Sequence, residues 1–177
     1  MKRLILHVCC GPCSLIAIER TKPSYEVVLF FSNSNIHPKE EYKKRLNTAI
    51  KVADIFKIKL IKDRYNPQDW LNRVEGYENE PEHGKRCNIC INYRLERTAK
   101  YAKEHNFDIF TTTLTTGPQK NADLINQIGV LLGKKYGIEY YESNFKKSNG
   151  FKRSVELSKK YHFYRQNYCG CKFSIRK

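Results

Sequence analysis

Three tight groups of cysteine constrain the fold of this chain more than any other feature. The 177 residues contain seven cysteines, arranged as Cys9-Cys10-Gly11-Pro12-Cys13, Cys87-Asn88-Ile89-Cys90 and Cys169-Gly170-Cys171. Short spacings such as CxxC let thiolates converge on one metal ion or cluster, because two or three residues form a turn around it. A fold that gathers all three groups holds more sulfur than one tetrahedral ion needs. The pattern therefore favours a metal centre with more than one iron.

Two other uses of cysteine compete with this interpretation. A disulfide framework is typical of secreted domains, but the cysteine count is odd and the apolar run in Met1–His7 is too short for a signal peptide. A structural zinc site with four cysteines would leave three thiols unused. Because no stretch of the sequence approaches a membrane span, we expect a cytoplasmic protein without a membrane partner.

The charge balance indicates a polyanionic partner. The sequence has 33 Lys and Arg against 18 Asp and Glu, a formal net charge of +15 at pH 7. The segment Phe145–Lys177 concentrates this excess, with ten basic residues, seven aromatic residues and Glu156 as its single acid. Basic side chains neutralise phosphates, and aromatic rings stack on unpaired bases. RNA fits this composition better than a membrane surface, and a lysine-rich solvated surface is the alternative.

Strands and helices alternate along the chain. The hydrophobic pattern predicts strands over Arg3–Val8, Glu26–Phe31, Ile58–Ile61, Asp108–Leu114 and Ile138–Tyr141. It predicts helices over Ser14–Arg20, Pro38–Phe56, Asn66–Val74, Cys87–His105, Ala122–Tyr136 and Ser154–Lys160. This alternation predicts an α/β fold with a single doubly wound, mostly parallel, Rossmann-like sheet. We expect one domain over residues 1–177, with a C-terminal segment that carries two of the cysteines.

The predicted fold brings the motifs to one edge of the sheet. In open α/β sheets, ligands bind beyond the carboxyl ends of the strands. The first cysteine group directly follows the first strand, and the turns Asn33–Asn35 and Thr113–Pro118 follow two others. Cys87 and Cys90 lie at a predicted helix start, where the helix dipole stabilises thiolates. The sequence therefore predicts one site at the carboxyl edge.

Longer motifs around the cysteines resemble a known family. The stretches His7–Cys13 (HVCCGPC), Arg86–Cys90 (RCNIC) and Tyr164–Ser174 (YRQNYCGCKFS) together resemble the cobalamin-independent epoxyqueuosine reductases, the QueH family. The stretches Asn33–Tyr42, Thr111–Lys120 and Asn144–Lys147 are also similar to that family. The resemblance covers nearly the whole chain.

The resemblance implies a catalytic domain with a specific reaction. Members of the family reduce epoxyqueuosine to queuosine at the wobble position of tRNA, which is the last step of queuosine formation. The resemblance further implies a [4Fe-4S] cluster next to an additional mononuclear iron, in a nucleotide-hydrolase-like α/β fold. Converting an epoxide to an alkene takes two electrons and two protons and releases water. We expect the iron to act as a Lewis acid and an external donor of the ferredoxin or flavodoxin type to supply the electrons.

The resemblance implies two metal sites, and the seven cysteines can be divided between them. We expect Cys9, Cys10, Cys87 and Cys90 to bind the [4Fe-4S] cluster. Cys13, Cys169 and Cys171 would then hold the second iron. The family pattern carries aspartate at the position of Cys13, in a CCxPD form, so the ligand set of the second site stays open. Cys169 and Cys171 could instead form a redox pair that relays electrons, although a disulfide between such close residues is strained.

Several other side chains are candidates for the reaction or for substrate binding. His7 and Tyr164 are candidates for a catalytic role, and a buried, hydrogen-bonded histidine and a core tyrosine are the alternatives. The candidates for contact with the substrate or tRNA are polar or basic, namely Asn33, Asn35, Lys120, Lys146, Lys147, Lys152, Arg165 and Gln166.

Two functions from other classes remain open at this point. An iron–sulfur tRNA sulfurtransferase has a similar α/β fold, but its glycine- and serine-rich pyrophosphate loop resembles SGGxDS. The loop here reads Cys-Cys-Gly-Pro-Cys-Ser, which is poorly suited to ATP phosphates. The other possibility is a zinc-stabilised RNA-binding module without a reaction.

Overall fold

The computed structural model describes residues 1–175. Arg176 and Lys177, two of the basic residues of the C-terminal segment, lie outside the described residues. The strands are β1 (Arg3–His7), β2 (Glu26–Phe31), β3 (Leu60–Lys62), β4 (Ile109–Thr112) and β5 (Glu139–Tyr140). The helices are α1 (Gly11–Thr21), α2 (Lys39–Phe56), α3 (Pro67–Arg73), α4 (Lys85–Glu104), α5 (Ala122–Tyr136) and α6 (Gly150–Lys160). Two short 3₁₀ helices cover Thr113–Thr116 and Lys172–Ser174.

The five strands form one sheet in the order β3-β2-β1-β4-β5, and every pair is parallel. β1 lies at the centre, so the chain order reverses between β1 and β4. In doubly wound sheets, the crevice at such a reversal is where ligands bind. The loops that follow β1, β2 and β4 all open at this crevice.

Helices cover both faces of the sheet because the strand side chains alternate between two apolar layers. On one face, Leu4 and Leu6 of β1 pack with α1, α2 and α6. On the other face, Ile5 of β1 and Phe110 of β4 pack with α4 and α5. A third, smaller cluster joins Trp70 of α3 to α4 and the C-terminal segment. The sheet is therefore buried on both sides, as parallel sheets require.

The predicted α/β class and the doubly wound sheet are confirmed, and the bounds of β2 and α5 agree with the sequence pattern. The bounds of several other predicted elements need correction. The strand predicted over Asp108–Leu114 ends at Thr112, because the Thr112 hydroxyl accepts the backbone N–H of Leu114 and the chain turns into a 3₁₀ helix. The third strand is Leu60–Lys62 rather than Ile58–Ile61. The last helix begins at Gly150, four residues before the predicted Ser154.

Helix α1 begins at Gly11 rather than at the predicted Ser14, so Cys13 lies in its first turn. Pro12 favours this early start, because proline suits the first helical positions. Gly11 also lies against α2, where a Cβ atom would stand 2.3 Å from Cγ2 of Thr48. The absence of a side chain at Gly11 therefore sets how closely α1 and the cysteines around it approach α2.

We predict that Gly11→Ala lowers the free energy of unfolding by about 1–3 kcal/mol, because the added methyl overpacks the contact with Thr48. Urea denaturation monitored by circular dichroism measures the loss. Thr48→Ser removes Cγ2 and keeps the hydroxyl that bonds to the Lys44 carbonyl at 3.0 Å. The double variant should recover much of the loss; equal instability of the single and double variants would place the strain elsewhere.

Within residues 1–175, no helix combines the length and the apolar character needed to cross a membrane.

Candidate metal centre

The loop after β1 places three thiols together, and we call Cys9, Cys10 and Cys13 the three-thiol group. Their Sγ atoms all lie within 4.8 Å of one another, with Cys9 and Cys10 separated by 3.8 Å. Cys10 is the N-cap of α1 and Cys13 lies in its first turn, so the helix start folds the three side chains toward one point. Three sulfur atoms at this separation can bind one metal ion.

Hydrogen bonds favour a thiolate in this group. The neighbouring thiols of Cys10 and Cys13, together with the Thr113 hydroxyl, hold the pKa of Cys9 well below its usual value. The hydrogen bonds of the Cys13 thiol to Cys10 and Cys9 raise its own pKa well above the usual value. Thr113 follows β4, and its Oγ1 atom lies 3.5 Å from Sγ of Cys9. Within the three-thiol group, these hydrogen bonds therefore favour the thiolate at Cys9 over the thiolate at Cys13.

A second set of thiols meets at the start of α4. Cys87, Cys90, Cys169 and Cys171 line one small cavity of about 20 Å³, and we call it the four-thiol cavity. Cys87 and Cys90 lie in the first two turns of α4, and the backbone N–H of His83 donates to Sγ of Cys87 at 3.2 Å. Cys90 and Cys171 are buried in the apolar cluster around Trp70. All seven cysteines are free thiols, so the disulfide alternative has no support.

These groupings differ from the division expected from the sequence. The sequence prediction joins Cys9 and Cys10 to Cys87 and Cys90, and assigns Cys13 to the pair Cys169 and Cys171. In the structure, Cys13 stays with Cys9 and Cys10 because one turn of α1 connects them. Cys169 and Cys171 instead line the cavity of the CxxC motif, because the C-terminal segment packs against α3 and α4.

Besides Arg86, two cations line the four-thiol cavity, the buried Arg94 and the half-buried Lys120, and the sequence prediction missed Arg94. Arg94 is only 3% exposed and lines the four-thiol cavity together with the predicted Lys120. Lys120 donates from Nζ to Sγ of Cys169 at 3.1 Å. Burial opposes the charge of Lys120, but the negative charge of Cys169 raises its pKa overall. Arg94 follows Cys87 and Cys90 at helical spacing on one face of α4, which is the sequence signal that could have found it.

A buried ion pair on α2 holds the C-terminal segment. Arg45 is 2% exposed, and its Nε atom donates to Glu41 at 2.8 Å. Its two terminal nitrogens donate to the carbonyl oxygens of Cys169 at 2.7 Å and Tyr168 at 2.9 Å. The planar guanidinium therefore satisfies a carboxylate and two backbone carbonyls at once, a role that lysine cannot reproduce. Neither Arg45 nor Glu41 was among the predicted site residues.

Gly170 is required between the last two cysteines. Its φ angle is +134°, a conformation that side chains rarely allow, and a Cβ atom there would lie 2.8 Å from a terminal nitrogen of Arg45. The carbonyl of Gly170 accepts the backbone N–H of His37 at 2.8 Å. The tight Cys-Gly-Cys turn thus fits directly against the loop that follows β2.

A larger cleft of about 270 Å³ opens next to the thiols. Its walls include Cys13 of the three-thiol group and Cys169 of the four-thiol cavity, and Lys120 lines both the cavity and the cleft. Aromatic rings of Phe151 and Tyr168 form part of the remaining wall. We call this hollow the cleft. A ligand bound there would contact thiols of both the three-thiol group and the four-thiol cavity.

The predicted substrate residues fall into three classes. Arg165 and Gln166 line the cleft, and Nε2 of Gln166 donates to Sγ of Cys10 at 3.0 Å. Asn35 lines the four-thiol cavity with a buried Oδ1 atom that has no partner among the described residues. Asn33 is buried, and its Nδ2 atom donates to the carbonyl of Val8 at 2.8 Å.

The other three predicted lysines, Lys146, Lys147 and Lys152, lie outside the cleft wall. Lys146 donates from Nζ to the backbone carbonyl of Lys120 at 2.7 Å, so it supports the residue that lines the cleft. Lys147 and Lys152 are exposed on the loop before α6 and on α6 itself. They are free to meet a polyanion at the surface.

His7 and Tyr164 are both engaged in the fold. His7 is fully buried, with Nδ1 2.9 Å from the Thr112 hydroxyl and Nε2 3.1 Å from the Ser32 carbonyl. Burial lowers the pKa of His7 to about 4. The Tyr164 hydroxyl donates to the Glu41 carboxylate at 2.7 Å. These contacts match the structural alternative for His7, whereas Tyr164 is 37% exposed and is not a core residue.

Comparison with known families decides the identity of the chain. A family model described as epoxyqueuosine reductase QueH matches residues 4–177. The chain belongs to the epoxyqueuosine reductase family QueH. It is 40% identical to the epoxyqueuosine reductase QueH of Streptococcus pyogenes over 98% of this chain and 70% of that protein. It is 38% identical to the QueH of Thermotoga maritima, over 99% of this chain and 91% of that protein.

Solved structures support the fold of this QueH member. A U34-tRNA thiolase, NcsA, from Methanococcus maripaludis, solved with its [4Fe-4S] cluster, superimposes with a TM-score of 0.55 at 11% identity. The match covers 99% of this chain and 62% of the thiolase. A predicted subunit of a tRNA methyltransferase from Methanocaldococcus jannaschii gives the same TM-score at 17% identity, over 89% of this chain and 76% of that one. At these identities, the likeness concerns the fold alone.

The donor set of this QueH member suits an iron–sulfur centre. Four thiols lining one cavity supply the number of ligands that a [4Fe-4S] cluster takes, and the cationic side chains of Arg86, Arg94 and Lys120 in its wall would offset the negative charge of the cluster. Three further thiols stand apart as a separate ligand group. Thiolate sulfur is also the donor that soft metal ions prefer.

We predict that Arg45→Lys loosens the C-terminal segment of this QueH member. Lysine keeps the charge beside Glu41 but loses the fork that binds the carbonyls of Tyr168 and Cys169. Chymotrypsin should therefore cleave after Tyr164 or Tyr168 about tenfold faster, since a loss near 1.4 kcal/mol in local stability increases opening tenfold. Lys43→Gln, which changes an exposed residue of α2, is the matched control. Equal cleavage rates in the two variants would contradict the role of Arg45.

Proposed function

We propose that this protein reduces the epoxide of epoxyqueuosine in tRNA to the alkene of queuosine, at the wobble position and as the last step of queuosine formation. Membership of the QueH family supports the reaction. The observation that carries the proposal is that thiols of both cysteine sets reach one cleft, Cys13 from the first and Cys169 from the second. A substrate atom in that cleft would lie beside both ligand groups.

Within this proposal, Cys87, Cys90, Cys169 and Cys171 bind the [4Fe-4S] cluster, and Cys9, Cys10 and Cys13 bind the additional iron. The shared cavity of the first four and the 4.8 Å grouping of the other three support this division over the one expected from the sequence. When bound, these metals supply single electrons and a Lewis acid. An external donor of the ferredoxin or flavodoxin type would replenish the electrons in the cytoplasm.

The protein itself would bind and orient the modified nucleoside. Phe151 and Tyr168 offer aromatic surface to a base that has been turned out of the RNA, and Arg165 is exposed beside them to meet a phosphate. Gln166 is fixed by its bond to Cys10 and leaves its Oε1 atom without a partner among the described residues. This amide would orient the substrate relative to the three-thiol group.

Lys120 would provide a proton. Loss of the epoxide oxygen as water needs two protons in addition to two electrons. The raised pKa of Lys120 keeps its Nζ atom protonated, and this atom lies at the wall shared by the four-thiol cavity and the cleft. From there it can donate to the departing oxygen.

The surface around the cleft would meet the tRNA backbone. Lys147 and Lys152 are exposed, and the protein carries a formal net charge of +15. Such charges favour binding to phosphates without reading the sequence. Recognition of the wobble nucleoside would then depend on the cleft.

We expect the anaerobically loaded protein, given a strong reductant and epoxyqueuosine-containing tRNA, to convert epoxyqueuosine to queuosine. Digestion of the RNA and mass spectrometry of the nucleosides would detect the loss of one oxygen atom. The matched control is the metal-free protein, which should give no product. A fully loaded protein that converts nothing would contradict the proposal, and ATP-dependent adenylation of the RNA would favour the sulfurtransferase alternative.

Single cysteine variants test the division of the ligands. Cys171→Ser should abolish the broad absorbance near 400 nm that marks a [4Fe-4S] cluster, because it removes one of four cluster thiols. Cys9→Ser should keep that absorbance and lose only the additional iron, measured by metal analysis and Mössbauer spectroscopy. Loss of the cluster in Cys9→Ser would return support to the division expected from the sequence. A colourless wild-type protein that contains zinc would favour the RNA-binding module.

A further inference from the structure

Arg94 differs from the other buried arginines, Arg45 and Arg86, because among residues 1–175 neither a carboxylate nor a backbone carbonyl pairs with its side chain. Among residues 1–175, no carboxylate forms a salt bridge with it, and its side chain makes no hydrogen bond. Its Nε atom is buried and unpartnered. A buried cation without a counter-charge costs several kcal/mol, so a charge that compensates it is expected nearby.

The comparison with neighbouring arginines makes this contrast clear. Arg97, three residues later on α4, forms two hydrogen bonds to the Asp63 carboxylate. Arg86, which lines the same four-thiol cavity, donates to three backbone carbonyls in the loop before α4. Arg45 is paired with Glu41. Among these four arginines of the described chain, Arg94 alone lines the thiol cavity without a carboxylate or a backbone carbonyl as a partner.

The thiols of both sets are the negative groups that act on Arg94. Burial works against its charge, but the charges of Cys90, Cys169, Cys9 and Cys171 raise its pKa overall. In return, the charge of Arg94 lowers the pKa of Cys9 and opposes the rise that burial causes at Cys90. Arg94 also lines the four-thiol cavity itself, beside Cys87, Cys90, Cys169 and Cys171, so its charge lies next to the thiols of that cavity.

We propose that the Arg94 guanidinium is the fixed counter-charge of the cluster held by Cys87, Cys90, Cys169 and Cys171, and that it raises the cluster's reduction potential. This inference rests on the cofactor of the proposed function. A [4Fe-4S] cluster with four thiolates is negative when oxidised, and it gains one further negative charge on reduction. A buried cation beside it stabilises the reduced form more than the oxidised form. Arg94 thus acts through the cluster and does not need to touch the substrate.

The test is the midpoint potential of the loaded protein, measured by anaerobic redox titration with electron paramagnetic resonance. Arg94→Gln and Arg94→Met remove the charge, and the Met variant keeps an apolar side chain of similar length. Both should reduce the equilibrium constant for one-electron reduction about tenfold, which is a fall of about 59 mV. Arg94→Lys keeps the charge and should stay closer to the wild-type potential. Lys100→Gln removes an exposed charge of α4 outside the four-thiol cavity and should change little.

Each outcome separates this inference from the proposed reaction. If Arg94→Gln, Arg94→Met and Lys100→Gln all keep the wild-type reduction potential, and the wild-type protein converts epoxyqueuosine, the role proposed for Arg94 is wrong. The proposed reaction then stands. If their potential falls but the wild-type protein converts no epoxyqueuosine, the role of Arg94 stands and the reaction does not. Loss of the cluster from the Gln and Met variants but not from Lys also supports the electrostatic role. Loss of the cluster from all three Arg94 variants, or a wild-type protein that binds no cluster, overturns the proposal.

Discussion

The hydrogen bonding of β1 between β2 and β4 is the constraint on which the candidate site depends. His7, the last residue of β1, pairs in register with Phe30 of β2 and Thr112 of β4. The three strands therefore end together, and the chain leaves each of them at the same edge. The buried His7 ring reinforces this edge by bonding to Thr112 and to Ser32 beyond β2. A shift of one register position would separate Thr113 from Cys9.

The C-terminal segment is attached to the rest of the fold by a different kind of interaction. Residues 161–175 form no strand, so they are held by side chains and isolated backbone bonds rather than by the sheet ladder. Arg45 binds two of their carbonyls, the Tyr164 hydroxyl bonds to Glu41, and the backbone of His37 bonds to Gly170. All of these partners belong to the loop after β2 or to α2. The buried ion pair on α2 thus holds the backbone at Tyr168 and Cys169, while packing against Trp70 and α4 places Cys171.

Much of the fold was predictable because it depends on local patterns. The apolar run of β2 and the helical period of α5 gave correct bounds, and the alternation of strands and helices predicted a doubly wound sheet. The same patterns correctly placed Asn35 and Lys120 near the carboxyl edge. The strand after Asp108 was predicted too long, because β-branched threonines suit a strand and a 3₁₀ turn with hydroxyl caps equally well. Local propensity could not decide between them.

The grouping of the thiols was not predictable in the same way. Spacing shows which cysteines can share a metal within one motif, but it does not show which motifs meet. That choice depends on how the C-terminal segment packs against Trp70 and α4, and so on contacts between residues far apart in the chain. Arg94 and Arg45 were missed for the same reason, because a basic residue on a helix is ordinarily solvated. These two arginines become part of the site only because the tertiary fold buries their side chains.

The shared wall between the four-thiol cavity and the cleft also exposes the site to damage. Cys13 and Cys169 line the cleft, which is wide enough for dioxygen or peroxide. Thiolates that a small oxidant reaches are the first to be oxidised, and stages beyond sulfenic acid are rarely reversed. A bound nucleoside would cover these sulfur atoms. Under the proposed function, occupancy of the cleft by the substrate would protect the thiols that line it, and the resting protein would be the form most vulnerable to air.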